Sequence, residues 1–128
     1  MNCDSPFHTK VTVPGTIIRS PNYPSSYEPG KDCRTTIRFL NRVLLRFLSF
    51  DVEKHSSCNY DYLIVYDGPD DSSSQIGTKL CGNTKPTEVE SSGNTVHISF
   101  HTDGSVQKAG FRIVISEIGR LIIESWTI

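Results

Sequence analysis

The stretch Thr95-Val96-His97-Ile98-Ser99-Phe100-His101 alternates apolar and polar residues over its whole length. A period of two predicts a β-strand with one face in the core and the other in water. The same alternation recurs at residues 111–115 and 43–50, although Leu44 and Leu48 give the second segment an apolar outer face as well. That segment is therefore expected to be a central strand covered on both sides.

Outward from these three segments, shorter strand-like pieces are expected around residues 11–18, 37–39 and 60–66. Segments rich in Pro, Gly, Asn and Asp separate them, and these residues favour turns. Helical periodicity is nearly absent before residue 117. Short strands between such turns predict an all-β domain, either a sandwich or a jelly roll.

Length and charge exclude several classes of function. The chain has 128 residues, 13 Lys and Arg against 14 Asp and Glu, and a net charge of −1. This size fits one domain, and the charge balance argues against binding nucleic acid. No apolar run approaches the roughly 20 residues of a membrane-spanning helix, so no membrane insertion is expected. Residues 118–128 differ in composition and hold the only Trp; a docked final element, a linker and an added tail remain open.

Four cysteines, Cys3, Cys33, Cys58 and Cys81, indicate an oxidising compartment. Their wide separations do not match the close pairs of cysteine-rich zinc sites. An even number at such spacing in a small domain predicts two disulfides. Four cysteines allow three pairings; we favour pairing of neighbours, and the spacing does not exclude the other two.

Several motifs occur in a fixed order along nearly the whole chain. They are Gly-Thr-Ile-Ile-Arg-Ser-Pro-Asn-Tyr-Pro at 15–24, Tyr27, Cys33, Phe-Asp-Val-Glu at 50–53, Cys-Asn-Tyr-Asp-Tyr-Leu at 58–63, Tyr-Asp-Gly at 66–68, Leu-Cys-Gly at 80–82, Phe-His-Thr-Asp-Gly-Ser at 100–105 and Gly-Phe at 110–111. With these motifs in this order, the chain resembles a CUB domain. The resemblance implies a two-sheet antiparallel jelly-roll sandwich at residues 1–117, with Cys3 bonded to Cys33 and Cys58 to Cys81.

The same resemblance implies a calcium site at one end of the sandwich. In the calcium-binding group of the family, the positions of Glu53, Asp61 and Asp103 supply carboxylates, with Asp61 expected as the central ligand. A carbonyl of the loop ending at Ser105 would complete a shell of hard oxygen donors, which suit Ca²⁺. Tyr23 is expected to hydrogen-bond within this site or to contact a partner.

The resemblance also implies a secreted or ectodomain interaction module, whose calcium orients carboxylates toward a Lys or Arg of an extracellular partner. No catalytic motif of the common hydrolase, metallopeptidase or phosphate-binding types is present, so no enzymatic activity is expected. His97 and His101 are interpreted as a solvated strand face. A zinc site at His55, near Glu53, is disfavoured because the neighbouring donors are oxygens.

A glycosaminoglycan-binding surface is the alternative function. Arg34, Arg38, Arg42 and Arg46 recur every four residues, a spacing that still allows one face of a sheet. An architectural spacer, stiffened by its calcium site, is a further alternative.

Overall fold

The computed structural model describes residues 10–119, and these form eight β-strands. No helix within that range is long and apolar enough to cross a membrane. The strands are β1 (Lys10–Val11), β2 (Thr16–Arg19), β3 (Asp32–Arg38), β4 (Val43–Asp51), β5 (Tyr62–Tyr66), β6 (Val89–Glu90), β7 (Thr95–His101) and β8 (Gly110–Glu117).

Two four-stranded sheets form a sandwich, which confirms the all-β expectation. The first sheet has the order β1-β3-β7-β5 and the second the order β2-β8-β4-β6. Every pairing between neighbours is antiparallel except one, because β1 runs parallel to β3. The expectation of fully antiparallel sheets was therefore wrong at this edge. The chain leaves β1, crosses to the second sheet as β2 and returns as β3, the kind of crossover that a parallel pair requires.

The core lies between the inward faces of the two sheets. Ile113 of β8 sits between Ile18 of β2 and Phe47 of β4 in the second sheet. Phe100 of β7 meets Phe111 of β8 across the sandwich, edge to face, with ring centroids 4.9 Å apart. All five side chains are buried. Because β-strands alternate their faces, the period-two pattern of the sequence becomes this interlocking layer.

Two strands differ from expectation in how their outer faces are covered. β7 is buried on both faces, with His97 only 7% exposed, because it lies between β3 and β5 and the side chains of Thr36 and Tyr66 flank the imidazole. The interpretation of His97 as solvated was therefore wrong. β4 is a central strand, as expected, yet Leu44 on its outer face and Leu48, at a shift of register between Phe47 and Ser49, are only half-buried.

The disulfide between Cys58 and Cys81 is present, with the two Cα atoms 5.6 Å apart. It confirms one of the two predicted pairs and joins the loop before β5 to the segment that bridges to Leu63. Cys33 is fully buried in β3. Its predicted partner Cys3 lies outside the described residues.

Candidate metal centre

Three acidic residues converge at one end of the sandwich. Glu53 follows β4 of the second sheet, whereas Asp61 precedes β5 and Asp103 follows β7, which are neighbours in the first sheet. Tyr62 pairs with His101, and this register places Asp61 beside the chain that leaves β7. One carboxylate oxygen from each acid lies within 4.8 Å of the others. The chain thus brings together three acids separated by up to 50 residues of sequence.

A buried tyrosine holds two of these acids, and it is Tyr27. Its hydroxyl donates to Asp61 Oδ2 at 2.6 Å and accepts the backbone N–H of Glu53 at 3.1 Å. The hydroxyl of Tyr23 lies 3.0 Å from Ser49 Oγ and not beside one of the three acids. A partner contact by Tyr23, the other role expected for it, stays a prediction. Tyr27 lies four residues after Tyr23 in the sequence, and spacing alone does not say which of the two rings points into the protein.

Asp61 is the most completely held of the three acids. It is fully buried, and its second oxygen, Oδ1, accepts the backbone N–H of Asp103 at 2.8 Å. Asp103 in turn accepts the N–H of Ser105, and its carbonyl accepts the N–H of Gly30. These bonds fix both acids and the 103–105 turn, while each carboxylate oxygen keeps lone pairs for a cation.

Glu53 is the least satisfied of the three. Its side chain is 9% exposed, and its Oε1 is buried without a hydrogen-bond partner among the described residues. A buried, unpartnered carboxylate oxygen is costly to leave without a proton or a cation. One carboxylate oxygen of Glu53 also lies within 4.8 Å of an oxygen from each of the other two acids.

The electrostatics of the cluster also point to a cation. Burial, followed by the charges of Asp61 and Asp103, raises the pKa of Glu53, while Lys108 and His55 lower it less. Burial likewise raises the pKa of Asp61, against the lowering effect of the hydroxyl hydrogen bond from Tyr27. Three carboxylates at this distance repel one another. The donor set contains only hard oxygens, so the residues fit Ca²⁺ better than a soft metal.

His55 does not join the cluster. Its Nδ1 accepts the backbone N–H groups of Ser57 and Asn59, and its ring packs on Tyr60 with centroids 4.2 Å apart. The acidic group that could hold a metal, among residues 10–119, is Glu53, Asp61 and Asp103 without a histidine.

The four arginines spaced by four residues do not form one surface. Arg34 and Arg38 lie on β3 of the first sheet, whereas Arg46 lies on β4 of the second and Arg42 in the connection between them. Three of the four form ion pairs. The pairs are Arg34 with Asp32 and Asp71, Arg42 with Glu90, and Arg46 with Glu88. The predicted glycosaminoglycan stripe is therefore divided between the two sheets and largely neutralised by acids.

Comparisons with known proteins agree with this architecture. The family model described as CUB domain matches residues 3–114. Tolloid-like protein 2 of Mus musculus is 49% identical over 103 residues, 79% of this chain and 10% of that protein. The full extracellular region of zebrafish Gpr126/Adgrg6 superposes with a TM-score of 0.77 at 32% identity, over 88% of this chain and 15% of that one.

A second solved structure is similar along almost its full length. The MASP-1 CUB2 domain bound to Ca²⁺ has a TM-score of 0.74 and 28% identity, and the match covers 86% of this chain and 98% of that domain. Our chain thus corresponds to a whole small domain in this structure and to a minor part of the longer relative.

Proposed function

This chain belongs to the CUB domain family, and we propose that it is a non-catalytic, extracellular protein-interaction module that binds one calcium ion at Glu53, Asp61 and Asp103. The convergence of three carboxylates within 4.8 Å, one with a buried unpartnered oxygen, is the observation that carries the proposal. The calcium-bound state of the similar MASP-1 CUB2 domain supports the choice of metal.

Each residue of the site has a distinct task in this proposal. Asp61 is the central ligand, because hydrogen bonds from Tyr27 and from the backbone of Asp103 already fix both of its oxygens. Glu53 supplies its free Oε1, and Asp103 supplies a carboxylate on a turn held by Ser105. The carbonyl of Ser105 and water complete the shell, since Ca²⁺ takes six to eight oxygens.

When bound, calcium supplies positive charge that offsets the repulsion among the three acids. The chain itself ties the 103–105 turn to the segment before β5, which keeps the half-buried Asp103 at the surface. A Lys or Arg of a protein partner then donates charge-assisted hydrogen bonds to the outward carboxylate oxygens. Partner binding is accordingly expected to need calcium and to weaken as ionic strength rises.

Location outside the cell follows from chemistry as well as from similarity. The Cys58–Cys81 disulfide is stable in an oxidising compartment. The similar domain in Gpr126/Adgrg6 lies in an extracellular region. We place this chain in a secreted protein or in the ectodomain of a receptor.

Calorimetric titration of the oxidised protein with CaCl₂, combined with thermal unfolding, tests the calcium site. We expect one calcium ion per chain and a rise in melting temperature with calcium concentration. Asp61→Asn and Asp103→Asn keep the size of each side chain but remove charge, and both are expected to abolish binding. Asp51→Asn is the matched control, because Asp51 ends β4 near the site and lies outside the cluster.

Two results would reject the calcium assignment. One is a folded wild-type chain that takes up no calcium; the other is uptake that survives both cluster variants. If calcium binds and stabilises the domain, a panel of Lys-containing extracellular ligands then separates an interaction site from an architectural one, since only the former loses ligand binding on chelation.

A further inference from the structure

Two arginines occupy directly opposed positions on the outer face of the second sheet. Arg19 of β2 pairs directly with Arg112 of β8 in the antiparallel register. Arg19 is exposed and Arg112 is half-buried. Like charges directly opposite each other on neighbouring strands destabilise a sheet. An anion bound by both guanidinium groups would offset this repulsion.

No carboxylate of the described residues neutralises this pair. The ion pairs within residues 10–119 involve Lys31, Arg34, Arg42 and Arg46, and none involves Arg19 or Arg112. Arg19 and Arg112 thus differ from Arg34, Arg42 and Arg46, each of which forms an ion pair.

The surroundings of Arg112 hold it in place without cancelling its charge. Its Nε lies 3.4 Å from Ser49 Oγ, and its guanidinium carbon lies 5.6 Å from the centroid of the Tyr23 ring. The Tyr23 and Ser49 hydroxyls are bonded to each other. The Tyr23 ring and the Ser49 hydroxyl therefore orient a cation whose remaining N–H groups are available to an anion.

We propose that Arg19 and Arg112 form an anion site that binds a carboxylate side chain of a protein segment. The two guanidinium groups donate charge-assisted hydrogen bonds to the carboxylate oxygens. This site shares no residue with the calcium cluster, so we expect its occupancy not to require calcium.

The neighbouring residues favour a protein segment over a sulfated polysaccharide. Ile17 lies two residues before Arg19 on β2, and it pairs with Val114, two residues after Arg112 on β8. Both side chains are half-buried on the same outer face. Aliphatic side chains of a peptide would cover this pair, whereas a polysaccharide would leave it in water. Arg46, the next cation on this face, is already paired with Glu88, so no extended row of free cations is present there among the described residues.

The register specifies the partner's pattern. An acidic residue and an aliphatic residue two positions apart in an extended chain point to the same side, about 7 Å apart, which matches the step from the arginine row to the aliphatic row.

A peptide titration followed by ¹H–¹⁵N NMR tests the site. The probe is acetyl-Thr-Glu-Thr-Ile-Thr-amide, added up to about 5 mM because an isolated pentapeptide is expected to bind with a Kd of about 1 mM. We expect shifts at the backbone amides of Ile17, Arg19, Arg112 and Val114 and at the two arginine Nε groups. The peptide with Gln in place of Glu is expected to bind at least about tenfold more weakly.

Variants connect these shifts to the arginine pair. The double variant Arg19→Gln/Arg112→Gln is expected to lose the response, while Arg38→Gln, an exposed arginine of the other sheet, keeps it. Asp61→Asn also keeps it, which separates this inference from the calcium proposal. In addition, Arg19→Gln without peptide is expected to raise the melting temperature, because it relieves the repulsion.

Four outcomes would overturn the inference. They are equal binding of the Gln peptide, a response that survives the double variant, no shift at the arginine groups, and a heparin hexasaccharide that binds at these residues more tightly than the acidic peptide. A lower melting temperature for Arg19→Gln would likewise contradict the inference, because it would show that Arg19 stabilises the fold.

Discussion

Replacement of Tyr27 by Phe removes one oxygen from the candidate metal centre and leaves the rest of the side chain in place. The ring is 1% exposed and meets Phe100 edge to face at 5.2 Å, a contact that Phe retains. The lost hydroxyl donates to Asp61 at 2.6 Å and accepts from the Glu53 N–H at 3.1 Å. The first bond is charge-assisted and contributes about 2 kcal/mol, and the second about 1 kcal/mol.

Tyr27→Phe is therefore expected to lower the free energy of unfolding by about 3 kcal/mol in the absence of calcium. Tyr23→Phe is the matched control, because it removes one half-buried hydroxyl pair with Ser49 and is expected to cost about 0.5–1 kcal/mol. Urea denaturation followed by circular dichroism measures both differences. The calcium affinity of Tyr27→Phe is expected to fall about tenfold or more, as for other groups that orient metal ligands.

Two results would refute the reasoning. A loss below about 1 kcal/mol for Tyr27→Phe would mean that neither bond stabilises the fold as the geometry indicates. If Tyr23→Phe lowered calcium affinity as much as or more than Tyr27→Phe, Tyr23 would be the tyrosine that orients the metal ligands. Retained near-native circular dichroism in both variants shows that each comparison concerns a folded protein.

Three other perturbations have defined outcomes. Replacing Cys58 and Cys81 together by Ser opens a loop of 23 residues and is expected to cost about 3 kcal/mol in urea unfolding, whereas an unchanged midpoint would contradict the entropic estimate. Gly110→Ala is expected to destabilise by about 2 kcal/mol or more, because Gly110 has a φ of +91° and an added Cβ would overlap a serine side chain; Gly93→Ala, with open space around it, stays within about 0.5 kcal/mol in the same thermal-unfolding assay. Burial and, secondarily, a nearby arginine lower the pKa of His97 below its ordinary 6.5, so the fold loses stability as pH falls below that value, where the unfolded chain takes up the proton first. His97→Gln is expected to lose less stability than wild type between about pH 7.5 and pH 5.5, and equal losses would show that His97 does not contribute.

The sequence predicts the strands because alternation is a local property. Residues 95–101 form β7, and the segments 111–115 and 43–50 lie within β8 and β4. β6 has two residues and too short a pattern to be found in this way. The motif order also located Glu53, Asp61 and Asp103 as one group, through resemblance to a family and not through their spacing.

The partners of particular side chains depended on the register between distant strands. Tyr27 rather than Tyr23 contacts Asp61. His97 is buried, although the alternation of residues along its strand predicts a solvent-exposed face. Both outcomes depend on which strands lie on either side of each residue. A short stretch of sequence does not contain this information.

The sequence by itself determined the all-β class, the family and the three acids that meet at the candidate metal centre, since each follows from local periodicity or from ordered motifs. Only the tertiary structure decided the parallel pairing of β1, the division of the regularly spaced arginines between two sheets, and the opposition of Arg19 and Arg112. The physical reason is that strand order and register are set by packing of the whole sandwich. The regularly spaced arginines therefore lie in different sheets although they are close in sequence, whereas Arg19 and Arg112, 93 positions apart, become neighbours.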